Sequence, residues 1–213
     1  MFRSIFRRLM VIFISVLILA FVLAGAMLYY FLGNYVARDK IDTLVQSGEA
    51  IKSYLSFYIE NEDNPLSELL FSRILQLHSR DTGAIIFVTN RDGYLVHSGP
   101  ELRSLSENII KNFNTDSGVF RIPDIKQHEK ALSEQTATVS IGDLGGLFKD
   151  TGYSWLTVKQ PFLFRTGRYP EDITGVIYLN MPVPEIQRMR YLIFRFFIVS
   201  VAASALLSVI PVY

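Results

Sequence analysis

The chain has 213 residues, half of them hydrophobic and only 19% charged, with a mean hydropathy of +0.27. That composition excludes a disordered chain and a nucleic-acid-binding tail. The absence of cysteine excludes a disulfide framework, a thiolate metal site and a cysteine nucleophile.

The near balance of 21 basic and 20 acidic residues conceals three unlike pieces. Residues 1–33 carry Arg3, Arg7 and Arg8 and no acid, whereas 34–190 hold 17 basic and all 20 acidic residues, a net −3. Beyond Arg190 the only charge is Arg195. Leu9 to Leu32 is a 24-residue uncharged run, long enough to span a bilayer core with some tilt. Three arginines precede it, while Arg38 and Lys40 beyond it are accompanied by Asp39, so the positive-inside rule predicts a cytoplasmic N-terminus. Ala24-Gly25-Ala26 also matches the small-x-small site of a cleaved signal peptide. The apolar run continues through Met27 to Leu32, however, which favours an uncleaved anchor. The same three small residues would allow close helix–helix approach. Phe196 to Tyr213 adds 18 uncharged residues, the short limit for a second, returning span. The expected division is a cytoplasmic N-terminus at 1–8, spans at 9–33 and 191–213, and an extracytoplasmic domain at 34–190. With no basic flank after Tyr213, the expectation is a cut before a cytoplasmic output region; a complete two-span protein is the alternative.

In the middle piece Ile41, Leu44, Ile51, Leu55 and Tyr58, with Gly48 in one slot, make a heptad-like stripe. It predicts a long helix continuing from the first span, packed either on its own sheet or on a second copy. Asn64 and Pro65 read as the N-cap and first-turn residue of a second helix, with Leu66, Leu69, Leu70, Ile74 and Leu77 as its buried face. Ala84 to Thr89 and Tyr94 to His97 flank Asn90-Arg91-Asp92-Gly93, whose Asp-Gly pair signals a hairpin. A short helix follows at Leu105 to Phe113, then loops and helix to Lys130. Three more strands are predicted at 135–141, 153–160 and 173–181, and Pro182 and Pro184 close the last before an exit helix from Glu185. The fold class is α+β, with an antiparallel sheet flanked by helices.

The strand-turn-strand from Ala84 to Val96 resembles the opening hairpin of extracytoplasmic PAS-like (Cache) sensor domains. Gly175 to Ile186, Gly-Val-Ile-Tyr-Leu-Asn-Met-Pro-Val-Pro-Glu-Ile, looks like their final strand passing into a second membrane helix. With the paired spans, the chain resembles the N-terminal input half of a bacterial two-component sensor histidine kinase. Chemoreceptors and cyclic-dinucleotide signalling enzymes share that layout. Pro211 resembles the approach to a HAMP linker. The resemblance implies a homodimer in the lipid bilayer, a small-molecule or protein signal, and a ligand pocket over the sheet beneath the segment that follows the first hairpin. The residues it points to are Tyr94 and His97 on the second strand, Trp155, Thr157 and Lys159 on the fourth, and Tyr178 and Asn180 on the fifth. Alternation puts the fourth-strand set on one face of its strand, and likewise the fifth-strand pair. Lys159 or Arg165 could pair with a carboxylate ligand.

No catalytic motif occurs, and neither a catalytic residue, a cofactor nor a metal is expected. His78, His97 and His128 are not at metal-ligand spacings, nor do Asp143 and Asp150 or the Glu60–Asp63 cluster match a calcium loop. His128, between Gln127 and Glu129, reads as a solvated histidine. A protein partner of the outer domain is the reading from a different functional class.

Overall fold

The structure, a computed structural model, describes residues 2–61, 63–103, 107–116, 119–165 and 169–209, with some helical side chains outside the described set. The chain divides into two compact units, Met1–Arg38 with Ile186–Tyr213, and Asp39–Glu185.

The elements in order are helix α1 (Phe2–Glu60), α2 (Pro65–Thr82), strands β1 (Ile85–Asn90) and β2 (Leu95–Ser98), short helices α3 (Pro100–Arg103) and α4 (Glu107–Ile110), strands β3 (Asn114–Asp116) and β4 (Val119–Arg121), helix α5 (Ile125–Ser133), strand β5 (Thr138–Gly142), a 3-10 turn at Lys149–Thr151, strands β6 (Trp155–Phe164) and β7 (Ile173–Pro182), and helix α6 (Val183–Val209). The molecule is thus mixed α+β. Its main sheet has five strands in the order β2-β1-β7-β6-β5, every neighbouring pair antiparallel. The small hairpin β3–β4 occupies a segment read from sequence as loops and helix. Its strands of three residues each are too short for a period-two pattern to register.

In the first unit α1 and α6 meet at Gly25. A side-chain carbon there would stand 3.3 Å from the Phe197 ring, the close approach that a small residue permits. Among the described residues no helix is long and apolar enough to cross a membrane. Many side chains of the expected 9–33 span, Leu9 to Val11 among them, lie outside that set, as do residues 210–213 of the second.

In the second unit the sheet is covered on both faces, which explains the unbroken burial of β7 from Gly175 to Met181 and of β6 from Trp155 to Phe162. α1 lies on the face carrying Gln160 and Leu179. Leu44, Gly48, Ile51 and Leu55 are buried, and a carbon added to Gly48 would come 3.2 Å from Gln160 and 3.3 Å from Leu179. The heptad-like stripe therefore packs on the domain's own sheet. α2 starts as its sequence predicts, with the Asn64 side chain accepting from the Leu66 amide at 3.0 Å and Pro65 in the first turn, and it ends at Gly83 with φ +70°.

Its buried face, however, is not the leucine stripe. Ser67, Phe71, Leu75, Ser79 and Thr82 face inward, whereas Leu66, Leu69, Leu70 and Leu77 are exposed. The hydroxyls on the inner face donate to backbone oxygens, Ser67 to Asn64, Ser79 to Ala84 and Thr82 to His78. Small polar residues with those partners satisfied are buried at little cost, so the polar letters mislead a purely hydrophobic reading.

The opposite face of the sheet carries Ile85, Phe87, Trp155, Val176 and Tyr178. These form one core with Leu102, Ile109, Phe113, Ile122, Ala131, Leu144, Leu147 and Phe148 from the 100–151 segment.

Candidate functional site

Strand register determines which side chains share this second face. Thr157 pairs with Asn180, and Lys159 with Tyr178; Ile85 and Phe87 of β1 pair with the same Asn180 and Tyr178. Two polar rows therefore cross the sheet beneath the 100–151 segment. In the first, the Thr157 hydroxyl donates to Asn180 Oδ1 at 2.9 Å and Asn180 Nδ2 donates to the Ile85 carbonyl at 3.2 Å. In the second, Lys159 and Tyr178 reach up to α5. Lys159 Nζ donates to Gln127 Oε1 at 2.7 Å, and Tyr178 meets His128 Nδ1 at 3.0 Å.

The protonation of His128 follows from its partners. Nε2 lies 3.0 Å from both the Asn90 and the Arg91 carbonyl oxygens, which can only accept, so Nε2 carries the proton. Nδ1 is then an acceptor and the Tyr178 hydroxyl donates to it. Contrary to the sequence expectation of a solvated residue, His128 is 0% exposed. It lies on the inner side of α5 and ties that helix both to the β1–β2 turn and to the central strand β7. Burial pushes its basicity below the ordinary histidine range, opposed by the carbonyls of Arg91 and Asn90. Burial likewise holds the Lys159 ammonium below its usual range, opposed by the charges of Asp124 and Glu134. The Tyr178 phenol is pushed well up by burial and then by the charge of Asp124.

The local sequence explains the placement. Asp124 caps α5, its side chain accepting from the Gln127 amide at 3.1 Å, and this cap orients the first turn so that Gln127 and His128 reach β6 and β7. Gly145, at φ +63°, comes close enough to Asp124 that a side-chain carbon would overlap the aspartate. A glycine is required there on both counts. Trp155 stacks on Phe148 with ring centroids 4.1 Å apart and donates from Nε1 to the Thr151 hydroxyl at 3.0 Å.

Of the seven residues singled out from sequence, the structure brings together Trp155, Thr157, Lys159, Tyr178 and Asn180 on one face. The other two lie elsewhere. The guanidinium of Arg121 stands 5.0 Å from the centre of the Tyr94 ring. His97 lies against Tyr58 and Phe71 under α1 and α2, lining an apolar cavity of about 270 Å³ with Leu55, Val88 and Phe162. Arg165 borders a separate open cleft of about 980 Å³ with Lys52 and Arg91, where its Nε pairs with Asp172 at 3.3 Å. Asp124, Gln127 and His128 were missed as members of the cluster. Their only sequence signal was the cap-like Asp124 two residues after Ile122 and a weak helical pattern behind it.

Chemically the cluster places an ammonium, two amides, an imidazole and two hydroxyls against a largely aromatic core, each bonded to a partner within the domain. Among the described residues no three His, Asp or Glu side chains are placed to hold a metal ion. Comparison with known proteins finds no matching family model and no matching curated protein.

Proposed function

We propose that this chain is the signal-sensing input region of a membrane sensor histidine kinase. In this reading residues 9–33 and 191–213 span the bilayer, and the domain between them lies outside the cytoplasm. The observation that supports it is a direct covalent path. β7 carries Tyr178 and Asn180 and passes into α6 with no intervening residue, Pro182 being followed at once by Val183. On the other face the same sheet seats α1 through Gly48. A ligand or partner that reorganised the Lys159–Gln127 and His128–Tyr178 contacts would act on the strand that begins the exit helix. The kinase output rests on the resemblance of the hairpin and final strand; a chemoreceptor or cyclic-dinucleotide enzyme would use the same input.

Two experiments test the reading. In intact cells a Lys126→Cys variant, otherwise free of cysteine, should react with a membrane-impermeant maleimide added from outside; protection until lysis refutes the topology. In a chimera carrying a reporter kinase after Tyr213, two glycines inserted after Met189 should abolish the response to the condition that switches the intact chimera. A retained response refutes the transmission route.

A further inference from the structure

The main sheet ends in two outer strands, β2 and β5, and only one of them is protected. β2 carries a bulge, Leu95 and His97 pairing with the adjacent Thr89 and Val88, and Tyr94 just before it is bridged to Arg121. The free edge of β6 beyond Lys159 is blunted by Pro161, which has no N–H to offer. β5 has neither a bulge nor a proline, and its register with β6 is regular from Thr138 to Gly142. No charged residue occurs between Glu134 and Asp143. Bulges, prolines and charges are the devices that keep an edge strand from pairing further; β5 lacks all three.

Strand alternation determines what this edge presents. The carbonyl of Ser154, the residue before β6, accepts from the Val183 amide at 3.0 Å. Even-numbered residues of β6 therefore turn their backbone groups to β7, and odd-numbered ones turn them the other way. Trp155, Thr157 and Lys159 thus bond to their partners Gly142, Ser140 and Thr138, which leaves the N–H and C=O of Val139 and Ile141 on the outside. Among the described residues no hydrogen bond reaches those four groups. The same two residues end apolar rows on the sheet face that α1 covers. Val139 continues Val158 and Leu179, and Ile141 continues Leu156 and Met181. The inner four are buried, whereas Val139 is 42% and Ile141 69% exposed.

We infer that β5 is a docking edge for an extended segment of a different protein, which adds to the sheet as a further strand. Only another extended backbone matches two donors and two acceptors set in line, and apolar side chains at alternate positions of the added strand would lengthen both rows. Half-buried Thr138 and Ser140 on the opposite face suit small polar residues between them. A second copy of the chain does not fit the edge. β5 runs in the direction of β7, the strand that enters α6, so on the proposed topology the β5 strands of two copies in one bilayer point the same way. Identical edges related by a two-fold axis pair antiparallel. The choice of a different chain rests on that topology, which labelling at Lys126 tests separately; the open edge does not.

The probe is a library of random seven-residue peptides displayed on phage, panned against the full chain in lipid nanodiscs that hold one copy each. Enriched sequences should alternate apolar with small or polar residues. Synthetic peptides of those sequences should bind at least ten-fold more weakly to a chain carrying Val139→Lys and Ile141→Lys. The melting curve of that chain, followed by the single Trp155, should match wild type, because both altered side chains are exposed. Methylating the peptide's backbone nitrogens should abolish binding at one set of alternate positions and spare it at the other, the signature of strand addition. No enrichment, binding that survives both substitutions, or indifference to methylation at every position would overturn the inference. The chain has no cysteine, so single thiols exclude the other occupants. A disulfide-linked dimer of Ser140→Cys chains in cell membranes would make the occupant a second copy, and protection of Ile141→Cys from maleimide in peptide-free nanodiscs would put the row against lipid; either would overturn it. Labelling at Lys126 and the glycine insertion report on the membrane reading whatever these peptides do.

Discussion

Replacing His128 by alanine tests whether the insertion helix α5 is held to the sheet as the geometry requires. The ring makes three contacts at 3.0 Å, to Tyr178, Asn90 and Arg91. The two carbonyls belong to Asn90, which is partly exposed, and Arg91, which is exposed, so water can replace their donor. Tyr178 is 1% exposed, and its hydroxyl would be stranded at a cost of about 1–3 kcal/mol. The vacated ring leaves a cavity worth roughly another 1.5 kcal/mol. A total near 3–4 kcal/mol should lower the melting temperature by about 10 °C in a chain of this size. The fluorescence of Trp155, the only tryptophan and part of the same core, follows the transition.

The pH dependence supplies an independent check. His128 is neutral when folded, with its basicity held below the unfolded value of 6.5. Below pH 6.5 the unfolded chain therefore binds the additional proton, and stability falls with pH until the folded residue itself titrates. Between pH 7.5 and 5.5 this amounts to at most about 1.3 kcal/mol. The difference between wild type and His128→Ala should shrink by that amount on acidification. A variant that melts within a degree or two of wild type, with a parallel pH profile, would refute the assignment of His128 as a buried neutral tether.

Three further substitutions probe the same sheet. Thr157→Val keeps the shape but leaves the buried Asn180 Oδ1 without its donor, and denaturant midpoints should show a loss of about 1–3 kcal/mol; a neutral result would mean that the amide finds another partner. Lys159→Met removes a desolvated ammonium and should raise the melting temperature by about 2–4 °C, near 1 kcal/mol. It should also abolish the part of stability that increases with pH in the alkaline range below 10.5, and a lower melting temperature would count against the burial argument. Gly175→Ala would drive a side-chain carbon into the Thr89 carbonyl of the paired strand and the Phe162 ring. About 3 kcal/mol should be lost, visible as a lower unfolding midpoint, whereas wild-type stability would show that β1 and β7 are less closely opposed.

The elements with local chemistry were legible without coordinates. Asn64 and Pro65 begin α2 because a capping side chain and a preset φ act within one turn. The Asp92-Gly93 turn follows from Gly93 adopting φ +81°, while the Asn90 side chain accepts from the amides of Asp92 and Tyr94. Alternation also placed Trp155, Thr157 and Lys159 together, and Tyr178 with Asn180, because the pleat of a strand has period two whatever lies above it.

Which face the insertion covers was decided only by the tertiary structure, because the period of two is identical for both faces. So was the antiparallel register that sets Lys159 beside Tyr178, a match between segments far apart in sequence. The same limit explains α2. Its leucines and its Ser67–Phe71–Leu75 row have the same helical period, and the inner row was selected by backbone oxygens supplied largely at the two ends of the helix. His128 is the sharpest case: flanked by polar and charged residues it reads as a surface side chain, and only the meeting of α5, β7 and the β1–β2 turn provides the donor and acceptors that let an imidazole be buried neutral. Local sequence sets periodicity, caps and turns because those act over a few residues. Burial of a polar group depends on partners brought from elsewhere in the chain, and packing alone decides where they meet.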